Sequence, residues 1–410
     1  MTKSLRLSGS ALLLTILPAC AGDGGASSGE WAGSVTDSAG VAVVDNPANG
    51  LWADGEGWTT EEVFRVGGME GGSESEFGMI VGVDVDAGGR VYVADQQARR
   101  LRVFESDGSY VQDLGGPGEG PGEFGPGLAG VFVDDETVSA PDVTNARIGV
   151  FTTEGEVLPP RPVSLTDGIP LRWDETGSGE LVAQRRGMDV EGMAALDDGD
   201  PITTFPEEGQ EAEILATVPR GESIRMNGGN PTIRIFEPEP IWDLADDRVA
   251  QGMNDRFRVE IWRDGTLERV VTRPVEPVEV TDGEERRILD MTREMMSATG
   301  VPPQAVEQVV QQMEFGESYP AFAQLLLSED GSLWVQRIRT SRDVPEGVEW
   351  SPQDMGSNEW EIFDTEGRYL GVLSFPLRFQ PIREVDGVVW GVERDEFDVQ
   401  SVVGYRVVRS

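Results

Sequence analysis

Asp95-Gln-Gln-Ala-Arg-Arg100-Leu-Arg-Val-Phe104 and Asp142-Val-Thr-Asn-Ala-Arg147-Ile-Gly-Val-Phe151 are one segment written twice, 47 residues apart. The register extends both ways. Gly68 falls on Gly115, Gly71 on Gly118, Glu76-Phe77-Gly78 on Glu123-Phe124-Gly125, Val91 on Val138 and Gly108 on Gly155. Positions 68–108 and 115–155 share 11 identities in 41 places. A period of this length with strand-like content is the mark of a four-stranded propeller blade.

Inside one copy the strands alternate with turn chemistry. Val83-Asp-Val85 is an alternating strand, and Asp86-Ala-Gly-Gly-Arg90 supplies the positive φ of a tight hairpin. Val91-Tyr-Val93 and Leu101-Arg-Val-Phe104 are rich in β-formers, Asp107-Gly108 is a second turn, and Tyr110-Val111 opens the fourth strand. The first hairpin recurs at 134–137, 174–180, 246–248, 328–332 and 386–387, which makes six copies. Phe104, Phe151 and Phe363 each stand four residues before a turn glycine. The third copy, 160–230, fits least well. The expectation is an all-β, six-bladed β-propeller of four-stranded blades over residues 36–410.

Closure is also predicted. The run Val402-Val-Gly-Tyr-Arg-Val-Val408 ends the chain, and Val63-Phe-Arg-Val66 holds a fourth-strand position with no blade before it. Pairing the two would complete the last blade and leave no raw edge. Asp37-Ser-Ala-Gly-Val-Ala-Val-Val44 reads as a further hairpin or strand near that seam. One stretch, 281–314, turns helical. Thr281 and Glu284 have capping-box spacing, Ile288, Met291 and Met295 share a face, Gly300 stops the helix, and Pro302-Pro303 opens a second bearing Val306, Val309, Val310 and Met313. This predicts a helical hairpin inserted between blades 4 and 5, either a lid or brace on one propeller face or a Met-rich partner surface.

Composition limits the chemistry. The 410 residues carry 74 acidic and 33 basic side chains, a formal net charge of −41. A nucleic-acid binder needs a basic surface to displace counterions, so that class is disfavoured. There is no His, Lys3 is the sole Lys and Cys20 the sole Cys. Serine and cysteine triads, Schiff bases, P-loops and ordinary zinc sites are thereby removed. Asp, Glu, Tyr, Ser, Thr and Arg remain, and they suit carboxylate chemistry or a hard cation held by oxygens.

The N-terminus reads as an export signal. Lys3 and Arg6 precede a short apolar run, Ala11-Leu-Leu-Leu-Thr-Ile-Leu17, too short to span a bilayer. Leu17-Pro-Ala-Cys20 resembles a bacterial lipobox, which implies cleavage after residue 19 and lipid attachment at Cys20. An ordinary secretory signal with an incidental Cys is the alternative. Residues 20–35, Gly/Ser-rich at their start, read as a flexible tether. The expected location is the bacterial cell envelope, lipid-anchored, and Ala21 after the Cys inclines toward the outer membrane.

The first two blades resemble NHL-type repeats, on Asp142-Val-Thr-Asn145-Ala-Arg147-Ile-Gly-Val-Phe151, with Gln97-Ala98 where the Asn is expected in the other copy. The wider chain is similar to six-bladed β-propeller lipoproteins of environmental bacteria, on Asp37-Ser-Ala-Gly-Val41, on Pro320-Ala-Phe322 leading to Leu333-Trp-Val335, and on the helical insertion. The resemblance is specific for fold and weak for function. It implies that Asp95 with Arg100, and Asp142 with Asn145 and Arg147, hold loops and tie blades together, with Asn254-Asp255-Arg256 as a counterpart. Alternatively Asp95, Asp142, Asn254 and Asp255 could point oxygens at the channel and bind calcium. Asp84-Val-Asp-Ala-Gly88 is a hairpin turn rather than a calcium loop, and the Gly-rich run 115–122 is a blade connector with no following helix or Lys. The functional expectation is a ligand- or protein-binding module, its ligand a protein, small molecule or saccharide, with no cofactor expected. The alternative is a calcium-dependent hydrolase or lactonase of the gluconolactonase-like propeller type. The usual peptide-amidating lyase needs a His-bound zinc, and no His exists here.

Overall fold

The computed structural model describes residues 31–409, apart from 54–55, 69–71, 188–198, 207–210, 222–223, 228–229, 345–349, 351 and 353–354. Six antiparallel sheets follow one another around an axis. Blade 1 is Ile80–Val85, Val91–Asp95, Arg100–Phe104 and Tyr110–Leu114. Blade 2 runs from Phe132–Val133 to Val157–Pro162, blade 3 from Ile169–Glu175 to Ile214–Val218, and blade 4 from Pro240–Ala245 to Thr266–Thr272. Blade 5 spans Leu325–Leu327 to Tyr369–Ser374, and blade 6 begins at Phe379–Val385. All six hairpins join first and second strands where the turn residues placed them, including the poorly matched third copy. At Asp386-Gly387 both residues have positive φ, 51° and 75°, which matches the twist of the flanking strands.

Closure follows the expected route. Thr59–Gly67 pairs antiparallel with Gln400–Val408 as the fourth strand of blade 6. Phe64 is buried there and meets Trp390 edge-on at 5.2 Å.

The preceding segment does not lie at that seam. Ser34–Ser38 and Val41–Asp45 form a hairpin whose second strand adds parallel to Thr266–Thr272, on the outer edge of blade 4. Parallel pairing covers an edge that blade 4 would otherwise expose. The chain then crosses blade 5. Asn46 donates to Gly367 O at 2.9 Å and accepts from Tyr369 N at 2.7 Å, and Trp52 N donates to Leu370 O at 2.7 Å. Residues 41–53 and 56–67 therefore strap blades 4, 5 and 6 together.

The core is divided into wedges, one in each junction between blades. Tyr92, Leu101 and Val103 meet Val138 and Phe151 between blades 1 and 2, and Phe257 and Ile261 meet Leu325, Val335 and Phe363 between blades 4 and 5. The remaining junctions are filled in the same way. Burying such aromatic and branched side chains contributes about 1.5–3 kcal/mol each before entropy is charged against it.

The insertion is helical over 282–310, but Met313, expected on the second helix, lies in the strand Met313–Phe315. Helix α1 (Asp282–Ala298) starts on a complete capping box, and α2 (Pro303–Val310) has Pro at its first position. Ile288, Val306 and Val310 are buried, Met291 and Met313 half-buried. Met295 is 61% exposed, so the apolar face of α1 is covered only over its first turns. The cause is the cluster beneath, where Phe236, Tyr319 and Trp350 reach Ile288 but not the helix end. Beyond α2, Met313–Phe315 pairs parallel with Asn230–Ile235, itself paired with Ile224–Asn227. This three-stranded sheet lies outside the six blades and was not foreseen. Among the described residues no helix is long and apolar enough to cross a membrane.

Candidate functional site

Of the four oxygen-bearing side chains singled out in the sequence, Asp95 and Asp142 end the second strands of blades 1 and 2, Asn254 and Asp255 follow the second strand of blade 4, and three of the four are occupied. Asp95, fully buried, accepts from Gly78 N at 3.0 Å, Met79 N at 3.2 Å and Ala98 N at 3.0 Å. Asp142 accepts from Gly125 N at 2.8 Å and from the Asn145 amide at 2.7 Å. Asn254 accepts from Glu239 N at 2.7 Å and donates to Phe322 O at 3.1 Å. Each thus fastens the connector that enters a blade to a loop of that blade or its neighbour. Asp255 stands apart, half-exposed, 3.8 Å from Arg256. Arg100 pairs with Asp113 at 2.5 Å rather than with Asp95. Arg147 donates to the carbonyls of Glu119, Gly120 and Glu123, so the Gly-rich connector presents acceptors to a cation. Among the described residues no group of three or more acidic side chains is placed to hold a metal ion. Cys20 lies outside the described residues.

The channel itself holds a charge cluster that the sequence did not announce. Arg383, from the first strand of blade 6, reaches across to blade 3. Its guanidinium lies 2.8 Å from Asp84 of blade 1, 3.2 Å from Glu175 and 3.9 Å from Asp174 of blade 3. Asp84 also accepts from Val133 N at 2.7 Å, which ties blade 1 to blade 2. Arg172 pairs with Asp243 of blade 4, whose other oxygen accepts from Leu327 N of blade 5 at 2.7 Å. Two guanidiniums therefore face four carboxyls, with Asp84 and Asp243 buried and the Arg172 side chain 39% exposed. Burial raises all four carboxyls, although the arginines pull the other way. Glu175 is pushed up to about 8, with Asp84 and Asp174 adding to the rise, and Asp243 to about 7. Alternation with Val83 and Val85 reads Asp84 as solvent-facing, so its 2% exposure at the channel was not legible from the local pattern.

Among the described residues, two of the cavities are large enough for a small ligand. The larger, about 720 Å³, opens between blades 4 and 5 beside the insertion. Phe257, Val275, Val278, Tyr319 and Phe322 give it apolar walls. Its base carries a buried ion-pair knot, in which Glu361 takes Arg273 through two hydrogen bonds of 2.9 and 2.5 Å and Arg337 through one of 2.9 Å. Arg273 is stacked 5.6 Å from the Phe257 ring and 5.0 Å from Tyr369. Arg256, 73% exposed, stands on the rim. The smaller cavity, about 350 Å³, lies at the channel between blades 5 and 6.

Comparison with known proteins adds the fold and stops there. Residues 69–155 match the profile of a family described as 6-bladed beta-propeller. The six-bladed architecture is thereby shown twice over. A crystal structure of a protein from Bacteroides fragilis, described as exported, superposes with a TM-score of 0.51 at 12% identity, over 90% of this chain and 100% of that one. A member of a family of unknown role from Bacteroides vulgatus gives 0.52 at 9% identity, over 86% and 98%. A gluconolactonase of Xanthomonas campestris gives 0.40 at 10% identity, over 80% and 87%, a likeness too low to argue from. Among curated proteins no relative matches.

Proposed function

We propose that the protein is a lipid-anchored, extracytoplasmic propeller that binds a ligand without transforming it. The observation that carries this is the cleft of about 720 Å³ between blades 4 and 5. Its size and apolar lining with a few convergent polar groups are those of a small-molecule or peptide seat. Its arginines are held by carboxylates and aromatic faces, so they can orient an acidic group. The loop oxygens that a calcium-dependent hydrolase would use are instead accepting backbone N–H groups. Anchoring through Cys20 and a tether shorter than the expected 20–35, because Ser34 and Val35 already belong to the strand Ser34–Ser38, would leave the blades free of the membrane.

Anilinonaphthalene sulfonate, an apolar body with one anionic group, is the probe. It should bind the folded full chain in detergent saturably, and Ala321→Trp should abolish that binding by filling the cleft, with an unchanged β-sheet circular dichroism spectrum. Binding of equal strength to both proteins would place the dye elsewhere and remove the cleft from the account.

A further inference from the structure

The two ends of the propeller differ in what their loops expose. At the entry end each blade receives the chain, and its second strand passes to its third. The hairpins that join first to second and third to fourth strands lie at the opposite end. Among the described residues, the large apolar side chains exposed outside strands and helices are Met79, Val275, Val278, Leu377 and Phe397, and all lie at the entry end. The first four sit in connectors that lead into blades 1, 5 and 6, and Phe397 sits between the second and third strands of blade 6. Val275 and Val278 belong to the mouth of the large cleft. The other three have no such use.

Those three are carried by linked loops of blades 6 and 1. Leu377 is 67% and Phe397 68% exposed. Their loops touch, since Arg378 donates to Asp395 O at 2.5 Å and Arg394 N donates to Arg378 O at 3.3 Å. Asp395 also accepts from Phe397 N at 2.8 Å and Val399 N at 2.9 Å, so the backbone that presents the ring is fixed. Met79, 48% exposed, precedes Ile80, whose N–H donates to Gln400 of blade 6 at 2.9 Å. Apolar groups gathered at one place on a surface mark an interaction site.

A second, independent observation concerns where the chain arrives. Ser34 pairs with Asp45, and Asp45 lies beside Thr272, the residue at which blade 4 runs out into its connector. Trp31 is tied to the same place, its indole donating to Asn46 Oδ1 at 3.1 Å. The polypeptide coming from Cys20 therefore joins the propeller at the entry end. An anchor at Cys20 draws that end, and not the opposite one, toward a bilayer.

We infer that the entry end faces the membrane and that Leu377, Phe397 and Met79 dip into a lipid surface while the six sheets stay in water. This rests on the lipid-anchored reading above. The contact is apolar and the surface zwitterionic, because a chain of net charge −41 is repelled by an anionic leaflet.

The lipidated full chain in phosphatidylcholine vesicles tests this. Cys20 is the sole Cys, so once it is acylated a cysteine introduced elsewhere is the single free thiol. Phe397→Cys carries a bimane fluorophore at the entry end. Asp135→Cys, at an exposed position in the first hairpin of blade 2, carries it at the opposite end. Bromine-substituted phosphatidylcholine should quench the label at 397 several-fold more than the label at 135. Equal quenching at both positions, in a chain that floats with the vesicles on a density gradient, overturns the inference and leaves the anchor standing. A label at 397 that is shielded from iodide yet untouched by bromolipid assigns the loop tips to a second copy or another protein, and overturns it as well. A chain that does not float removes the anchor and the inference together.

Discussion

Glu175→Gln should remove a pH dependence that the channel imposes on the fold. In the folded protein Glu175 titrates at about 8, against 4.5 for the free side chain, chiefly because it is buried. The folded value lies above the unfolded one. The stability Glu175 contributes is therefore complete below about pH 4.5 and is lost as pH rises through about 8. Each pH unit in that window costs about 1.4 kcal/mol, so about 5 kcal/mol is the ceiling, reached only above pH 8. Relaxation of the channel and entry of water reduce this, and about 2–3 kcal/mol is the working expectation. Gln keeps the size of Glu and an acceptor toward Arg383, but it cannot ionise. Urea unfolding from pH 4.5 to 8.5 is the assay. The two proteins should unfold at similar midpoints at the acid end. The variant should then gain steadily, its midpoint rising above that of the parent by the free-energy gap divided by the urea slope. Parallel curves at every pH would show that Glu175 is an ordinary carboxylate. A variant weaker than the parent at pH 8.5 would show that its ion pair with Arg383 outweighs burial. Either result refutes the reasoning.

Closure and anchoring give two further tests. Phe64→Ala removes a buried ring from the strand that completes blade 6 and should cost about 3–5 kcal/mol, seen as a fall in melting temperature. Val63→Ala on the same strand, 36% exposed, should stay within about 0.5 kcal/mol, and equal effects would contradict the closure register. Cys20→Ala should release the protein from the membrane fraction with its melting temperature unchanged, and continued partition with membrane lipoproteins would contradict the lipobox.

What the sequence disclosed follows the range of the interactions involved. The hairpins at 86–90 and 386–387 are written in contiguous residues, since a tight turn needs Asp and Gly at fixed places, and so all six were legible. The capping box of Thr281 and Glu284 was legible for the same reason. Closure by Thr59–Gly67 needed only the repeat offset. The parallel addition of Val41–Asp45 to blade 4 was placed wrongly because its partner, Thr266–Thr272, lies more than two hundred residues on and leaves no mark on the local pattern. Arg383 and Glu175 are likewise 208 residues apart and meet only because blades 6 and 3 face each other across the channel. Asp95 and Asp142 were legible as a repeated pair, but not their partners, since backbone N–H groups carry no sequence identity. The Glu361 knot, which takes arginines from blades 4 and 5, gave no signal at all.

Calcium tests the central claim, that this propeller binds a ligand and that its loop oxygens are structural. A cation held only by the folded state at one hundred times its Kd would add about 2.7 kcal/mol of stability. The melting temperature of the full chain in detergent should be compared in excess calcium and in sodium of matched ionic strength, for the parent, Asp95→Asn and Asp142→Asn. The account predicts no calcium-specific gain in the parent, and the same loss of stability in each variant with and without calcium, because each loses hydrogen bonds to backbone N–H groups. A calcium-specific rise that both substitutions erase would contradict it and favour the calcium-dependent hydrolase.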